Sequence, residues 1–175
     1  MVSIEEYEEL IRLENNQVYL SDSRFYMNFS YKRISEIELS EYNSKSLCSY
    51  AGTKLIKSYA GISFRHPNDC LRKNMKDEFV QLYELLLNKS LDELPAHNDQ
   101  IVWRWNIGSI PPEGIKFLKR YVGKNIMVPQ FWSTTKTLKT EKPNLFKIQT
   151  SENSNARDIS DISDKPEDEV LFKNN

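Results

Sequence analysis

The sequence predicts an α+β fold, with N-terminal helices followed by a mixed β-sheet core. Two observations carry that expectation. Apolar residues recur at helical spacing through the first half, as in Phe79, Leu82, Tyr83 and Leu86. After Pro95 they recur instead in short continuous or alternating runs, as in Ile101 to Trp105. The 175 residues suffice for one domain with a sizeable core, mainly helical over 1–95 and mainly strand over 96–175.

Taken in order, Ser3-Ile4-Glu5-Glu6 has the capping-box pattern, and Ile4, Tyr7, Leu10 and Ile11 follow it as a helical stripe that Asn15-Asn16 ends. Phe25, Met27, Phe29 and Tyr31 alternate with polar residues, the period of a half-buried strand. Helical spacing returns over 35–59 through Ile37, Tyr42, Leu47, Tyr50, Leu55 and Tyr59, with Gly52 and Gly61 as weak points. His66-Pro67-Asn68-Asp69 reads as a turn, and 76–87 as the best-patterned helix. Beyond Pro95, strands are expected over 101–105, 125–132, 145–150 and 169–172, with a short helix over 115–121. The segment 151–166, rich in Ser, Asn and Asp, reads as a polar loop.

Composition narrows the function. Twenty-four Lys and Arg against 25 Asp and Glu leave a net charge of −1, which offers no basic footprint for nucleic acid. Lys136, Lys139 and Lys142 read as a solvated loop. No apolar run approaches the roughly 18 to 20 residues of a membrane helix, so no membrane partner is expected. The opening Ser-Ile-Glu-Glu-Tyr-Glu-Glu is acidic and unlike a signal peptide, which predicts a cytoplasmic protein or one exported by a route without an N-terminal signal. Cys48 and Cys70 have no metal-ligand spacing and read either as buried thiols or as a disulfide. With His66 and His97 the only histidines, no metal site and no Ser-His-Asp triad is expected. Oligomeric state is not readable from the sequence.

Three segments carry chemistry: Trp103-Arg104-Trp105, Phe131-Trp132-Ser133-Thr134-Thr135, and Glu167-Asp168-Glu169-Val170-Leu171-Phe172. An arginine is a permanent, forked donor suited to a diphosphate. A carboxylate stabilises the oxocarbenium-like transition state of glycosidic cleavage, and a hydroxyl can hold that carboxylate in place. Cleaving the nicotinamide–ribose bond of NAD fits this set, because nicotinamide leaves as a neutral ring and needs no protonation. In an extended chain Glu167 and Glu169 project to one side with Asp168 opposite. Two carboxylates on one face call for a cationic partner.

In this order and setting, the segments resemble the arginine-specific mono-ADP-ribosyltransferases, whose site is summarised as Arg, Ser-Thr-Ser and Glu-x-Glu. The resemblance runs from Gln100 to Phe172 and takes in Phe146-Lys147-Ile148-Gln149-Thr150 and Arg157-Asp158-Ile159-Ser160. It implies NAD as substrate, no metal, and a protein acceptor presenting an arginine. Glu169 is then the catalytic glutamate, and Glu167 receives the acceptor guanidinium and helps remove its proton. Ser133 orients Glu169. Arg104 holds NAD through its phosphate and ribose region, the backbone at Trp105 meets the nicotinamide amide, and Trp132 and Thr134 complete the NAD contacts. Residues 136–144 fold over the diphosphate, and 151–166 present the acceptor. A toxin or effector is compatible with this reading.

The chain departs from that pattern in places. The hydroxyl motif is Ser-Thr-Thr, Trp105 stands where the family often has glycine, and no aromatic lies between Thr135 and Phe146. The chain also stops soon after Phe172, which predicts an open sheet edge beside residues 170–172, to be filled by the alternating 25–31 segment. Two other readings stay open: an NAD glycohydrolase, in which water is the acceptor, and a catalytically silent NAD- or protein-binding module.

Overall fold

The capping box at the N-terminus forms as expected. The Glu6 amide donates to Ser3 Oγ at 3.2 Å and the Ser3 amide donates to Glu6 Oε2 at 2.8 Å, opening α1 over Ile4–Asn16. This is the computed structural model of the chain, which describes residues 1–16, 48–63, 65–75, 77–98, 100–105, 110–124, 128–138, 145–163 and 168–174. The strand expected over 25–31, and Ile37, Tyr42 and Leu47 of the expected 35–59 helix, lie outside the described residues. The chain divides into two compact units, Met1–Pro95 with Asp161–Pro166 and Ala96–Ser160 with Glu167–Asn175.

The first unit is helical. Helix α2 (Tyr50–Ser58) begins where Ser49 Oγ accepts from the Gly52 amide, and α4 (Glu78–Leu91) begins where Asp77 accepts from the Val80 amide at 2.8 Å. Each side chain satisfies a donor that a helix start leaves orphaned. The expected stripe of α4 is realised, with Phe79, Tyr83 and Leu86 buried alongside Val80, Leu87 and Leu91. Glu93 ties the starts of α1 and α2 together, accepting from the Val2 amide at 2.9 Å and from Ser49 Oγ at 3.0 Å.

Between α2 and α4 the chain makes a wider helical turn over Tyr59–Ser63, kinked at Gly61 with ψ −110°, and then α3 over Arg65–Arg72. The turn expected at His66–Asp69 is therefore a helix. Pro67 occupies its first turn, where a missing N–H breaks no helical hydrogen bond, and Asn68 Nδ2 fixes the segment by donating to the Tyr59 hydroxyl at 3.0 Å. Cys48 and Cys70 are free thiols, the former buried. Burial pushes the Cys48 thiol up to about 12, so it stays protonated.

Gly52 is where this unit tolerates no side chain. A Cβ there would stand 2.7 Å from Cys48 Sγ, 2.9 Å from Ser49 Oγ and 3.1 Å from Ser90 Oγ. Ser90 is itself held by donating to the Leu86 carbonyl at 2.8 Å. Gly52→Ala is expected to destabilise by about 1–3 kcal/mol through overpacking, more than the roughly 1 kcal/mol that alanine gains in helix propensity. Urea unfolding checks it; an unchanged or raised midpoint would refute the packing argument.

The second unit is the sheet. Its strands are β1 (Ile101–Trp105), β2 (Trp132–Thr135), β3 (Leu145–Gln149), β4 (Ala156–Asp158) and β5 (Glu169–Phe172), in the order β3-β1-β2-β5-β4. The α+β class holds, and every ladder among the described residues is antiparallel, so the mixed character expected of the sheet is not seen in them. Three particulars differ from the sequence reading. Of the strand expected over 125–132, residues 125–127 lie outside the described residues and 128–131 are not strand; β2 starts at Trp132, after Pro129, whose ring cannot donate to a ladder. The polar segment 151–166 contains β4, and β4 fills the edge of β5 that was expected to be open. The helix expected over 115–121 is α5, Pro112–Lys119, entered through Pro112 at its first position. Val102, Ala156 and Val170 form the buried cluster on one sheet face, with Ile148 and Phe172 packed against it.

Candidate active site

Strand register decides which side chains meet. Thr135 stands opposite both Glu169 on β5 and Trp103 on β1, so these three share one face of the sheet. Ser133, two residues before Thr135, points the same way. Its hydroxyl donates a close hydrogen bond to Glu169 Oε1. Glu169 is 3% exposed, held on an interior strand by ladders on both sides.

Arg104 alternates to the other face. Its guanidinium lies over the Trp132 ring, 4.9 Å from the centroid, and its Nη1 donates to the Ser133 carbonyl at 2.6 Å. Ser133 thus joins the two charged groups, with its side chain on Glu169 and its backbone receiving Arg104. The stack explains the use of tryptophan at 132: a flat apolar ring fixes the guanidinium plane while removing water from one side of it.

The other sequence-predicted residues fall as follows. Trp105 ends β1 opposite Leu145 and is partly exposed. Thr134 is 4% exposed, and its hydroxyl donates to the Val170 carbonyl at 2.8 Å, so it ties β2 to β5 from within. Glu167 lies outside the described residues, as do 139–144 of the segment expected over the diphosphate. Lys136, which opens that segment, is ion-paired with Asp158 at 2.8 Å.

That pair belongs to a group the sequence reading did not single out. Asp158 Oδ1 accepts from the Ser160 amide at 3.0 Å and from its hydroxyl at 2.6 Å, while Ile159 donates its amide to the Glu169 carbonyl at 3.0 Å. From the β2 side, the Lys136 amide donates to the Asp168 carbonyl at 2.8 Å and Thr137 Oγ1 donates to the Asp168 carboxylate at 2.9 Å. Burial alone would raise the Asp158 carboxyl, but the hydrogen bonds from Lys136 and Ser160 outweigh it and hold the group below its ordinary value. The entry to β5 is therefore gripped from both neighbours. The signal in the sequence is Asp158-Ile159-Ser160, an aspartate placed to accept from the amide two residues on.

Chemically, the arrangement offers a fixed carboxylate oriented by a hydroxyl, with a guanidinium held on the backbone of the same serine from the other face of the sheet. Among the described residues no group of three or more His, Cys, Asp or Glu side chains converges as metal ligands do.

No protein-family model matches this sequence, and no curated protein matches it. Solved structures do match. The ADP-ribosyltransferase HopU1 of Pseudomonas syringae pv. tomato superposes with a TM-score of 0.63 at 20% identity, covering 98% of this chain and 88% of that one. The C3 exoenzyme of Clostridium limosum gives 0.58 at 19% identity over 73% of this chain and 74% of its own. Plx2a, an ADP-ribosyltransferase toxin from Paenibacillus larvae, gives 0.57 at 20% identity over 75% and 76%. The chain therefore has the fold of these ADP-ribosyltransferases.

Proposed function

We propose that this chain transfers ADP-ribose from NAD to an arginine side chain of an acceptor protein, releasing nicotinamide. The observation that carries this reading is the Ser133 hydroxyl on the Glu169 carboxylate, with Arg104 bound to the Ser133 backbone, in a fold shared with ADP-ribosyltransferases.

In this reading Arg104 binds the diphosphate side of NAD and Glu169 faces the nicotinamide ribose. As the bond from the anomeric carbon to the ring nitrogen breaks, its electron pair leaves with nicotinamide and positive charge develops on the ribose. The Glu169 carboxylate stabilises that charge, and it does so without reorganising because Ser133 already fixes its orientation. A nitrogen of the acceptor guanidinium then bonds to the anomeric carbon, and its proton passes to Glu167. Trp132, already stacked on Arg104, sets the guanidinium plane for the diphosphate. The descriptions of Plx2a as a toxin and of C3 as an exoenzyme support a toxin or effector setting.

The test is incubation with labelled NAD and an arginine-rich protein, followed by mass spectrometry of the acceptor. Label on arginine supports the proposal, label on another residue type overturns the acceptor, and nicotinamide release without label identifies a glycohydrolase. Glu167→Gln is expected to reduce transfer at least about tenfold more than NAD hydrolysis, since only transfer needs the acceptor deprotonated. Equal loss of both would contradict the division of roles between the two glutamates.

A further inference from the structure

Helix α5 and the turn after it contain no buried residue. Apolar side chains nevertheless crowd it. Phe117 is 52% exposed and Val122 79%, with Ile115 and Tyr121 also exposed, and the Phe117 and Tyr121 rings contact each other at 5.1 Å. An amphipathic helix ordinarily turns such residues into a core, so an exposed aromatic pair beside further exposed apolar side chains marks an interaction surface.

The charges on this segment say what covers it. Residues 112–124 carry Lys116, Lys119, Arg120 and Lys124 against Glu113 alone, a net of +3 (four minus one) in a chain whose total is −1. Lys116, Lys119 and Arg120 are spaced i, i+3, i+4 and so line one side of the helix, while Phe117 and Tyr121 follow on the adjoining side. Among the described residues none of these four cations forms an ion pair. We propose that α5 and its following turn form a membrane-surface contact that docks on anionic phospholipid, with Phe117, Tyr121 and Val122 entering the headgroup boundary and the four cations meeting lipid phosphates.

Lipid suits this segment better than an acidic protein surface does. An exposed apolar strip with cations along the adjoining side of the same helix is the pattern of a segment lying in the headgroup region, where lysine and arginine stems reach from the apolar layer up to the phosphates. Four cations near an anionic leaflet, joined to a modest apolar wedge, give reversible binding that salt weakens. The sequence reading expected no membrane partner, on the ground that no apolar run is long enough to span, and among the described residues no helix is long and apolar enough to cross a bilayer; the proposal departs from that expectation. Surface docking is a separate mode and does not rest on the proposed transferase activity.

The experiment is vesicle flotation of the full chain, using phosphatidylcholine alone or phosphatidylcholine with phosphatidylserine at roughly two to one. Binding is expected to the mixed vesicles and not to phosphatidylcholine, and to fall as salt rises. Charge reversal at Lys116, Lys119 and Arg120 together should weaken it about a hundredfold. Phe117→Ser with Val122→Ser should weaken it about tenfold. Neither set should change the melting temperature, because none of these side chains is buried. Equal binding to both vesicle types, no binding to either, or undiminished binding by the charge-reversed variant would overturn the proposal. So would tighter binding to soluble polyglutamate than to mixed vesicles, which would assign the patch to an acidic protein.

Discussion

Replacing Glu169 by glutamine is expected to lower the rate of nicotinamide release about a thousandfold while leaving the melting temperature within a few degrees of the parent. The substitution keeps the shape of a side chain that is 3% exposed and keeps an oxygen to accept from the Ser133 hydroxyl. What it removes is the negative charge that in the proposed mechanism opposes the developing positive charge on ribose, a preorganised electrostatic interaction whose loss costs about 3–4 kcal/mol of transition-state stabilisation. The effect should fall on kcat and leave the KM for NAD little changed, because the charge acts on the transition state. Ser133→Ala is expected to cost about tenfold, since it loosens the carboxylate without removing it. Steady-state kinetics of nicotinamide release checks both. A Glu169→Gln enzyme with near-parental kcat would reject the mechanism, and a Ser133→Ala enzyme as slow as Glu169→Gln would mean that the serine does more than orient.

Glu14→Gln is expected to raise the melting temperature at pH 8 and to leave it nearly unchanged at pH 4. Glu14 is 4% exposed on α1, and its Oε1 is buried with no hydrogen-bond partner among the described residues. Burial pushes its carboxyl from 4.5 up to about 8. Below pH 4.5 the group is protonated in both folded and unfolded chains, and its contribution to stability is fully present. As pH rises from 4.5 to 8 the unfolded chain ionises freely while the folded chain resists, so that contribution is lost progressively and levels off above 8. The whole swing is on the order of 3–5 kcal/mol. Glutamine cannot ionise, so the variant should gain several degrees at pH 8. A scan of melting temperature against pH decides the matter: a gain of equal size at both ends would mean that something other than ionisation was relieved.

Glu14 also shows how much the sequence discloses. It lies four residues after Leu10 and three after Ile11, on the same stripe that predicts α1, so an acid on an apolar face was there to be read. The lack of a hydrogen-bond partner for its Oε1 among the described residues was not, because that depends on neighbours brought from elsewhere in the chain. The capping box, the stripe of α4 and the β5 run were legible for local reasons, since each is decided by residues within a turn or two. Helix α3 was hidden because Pro67 reads as a breaker unless its place in the first turn is known, and β4 because three residues are too few to show a period. The candidate site was legible as an ordered set of residues through family resemblance. That resemblance also implied the contact of Ser133 with Glu169, but not the bond from Arg104 to the Ser133 backbone, which follows from the register of β1 and β2. The Lys136–Asp158 pair joins residues 22 apart in sequence, and no local pattern announces it.

The order of the strands has a consequence for how the chain acquires its shape. β5 is the last of the five strands to be synthesised, yet it sits inside the sheet between β2 and β4. The β1–β2 and β1–β3 ladders can form on a nascent chain, but β4 must wait for β5 to provide its ladder. Until then β2 offers an unpaired edge, the kind of surface that recruits a stranger's strand. Ser133 stays without its carboxylate for the same interval. Maturation of this unit is thus a late, long-range closure, and the segment that completes the sheet is the one that delivers Glu169.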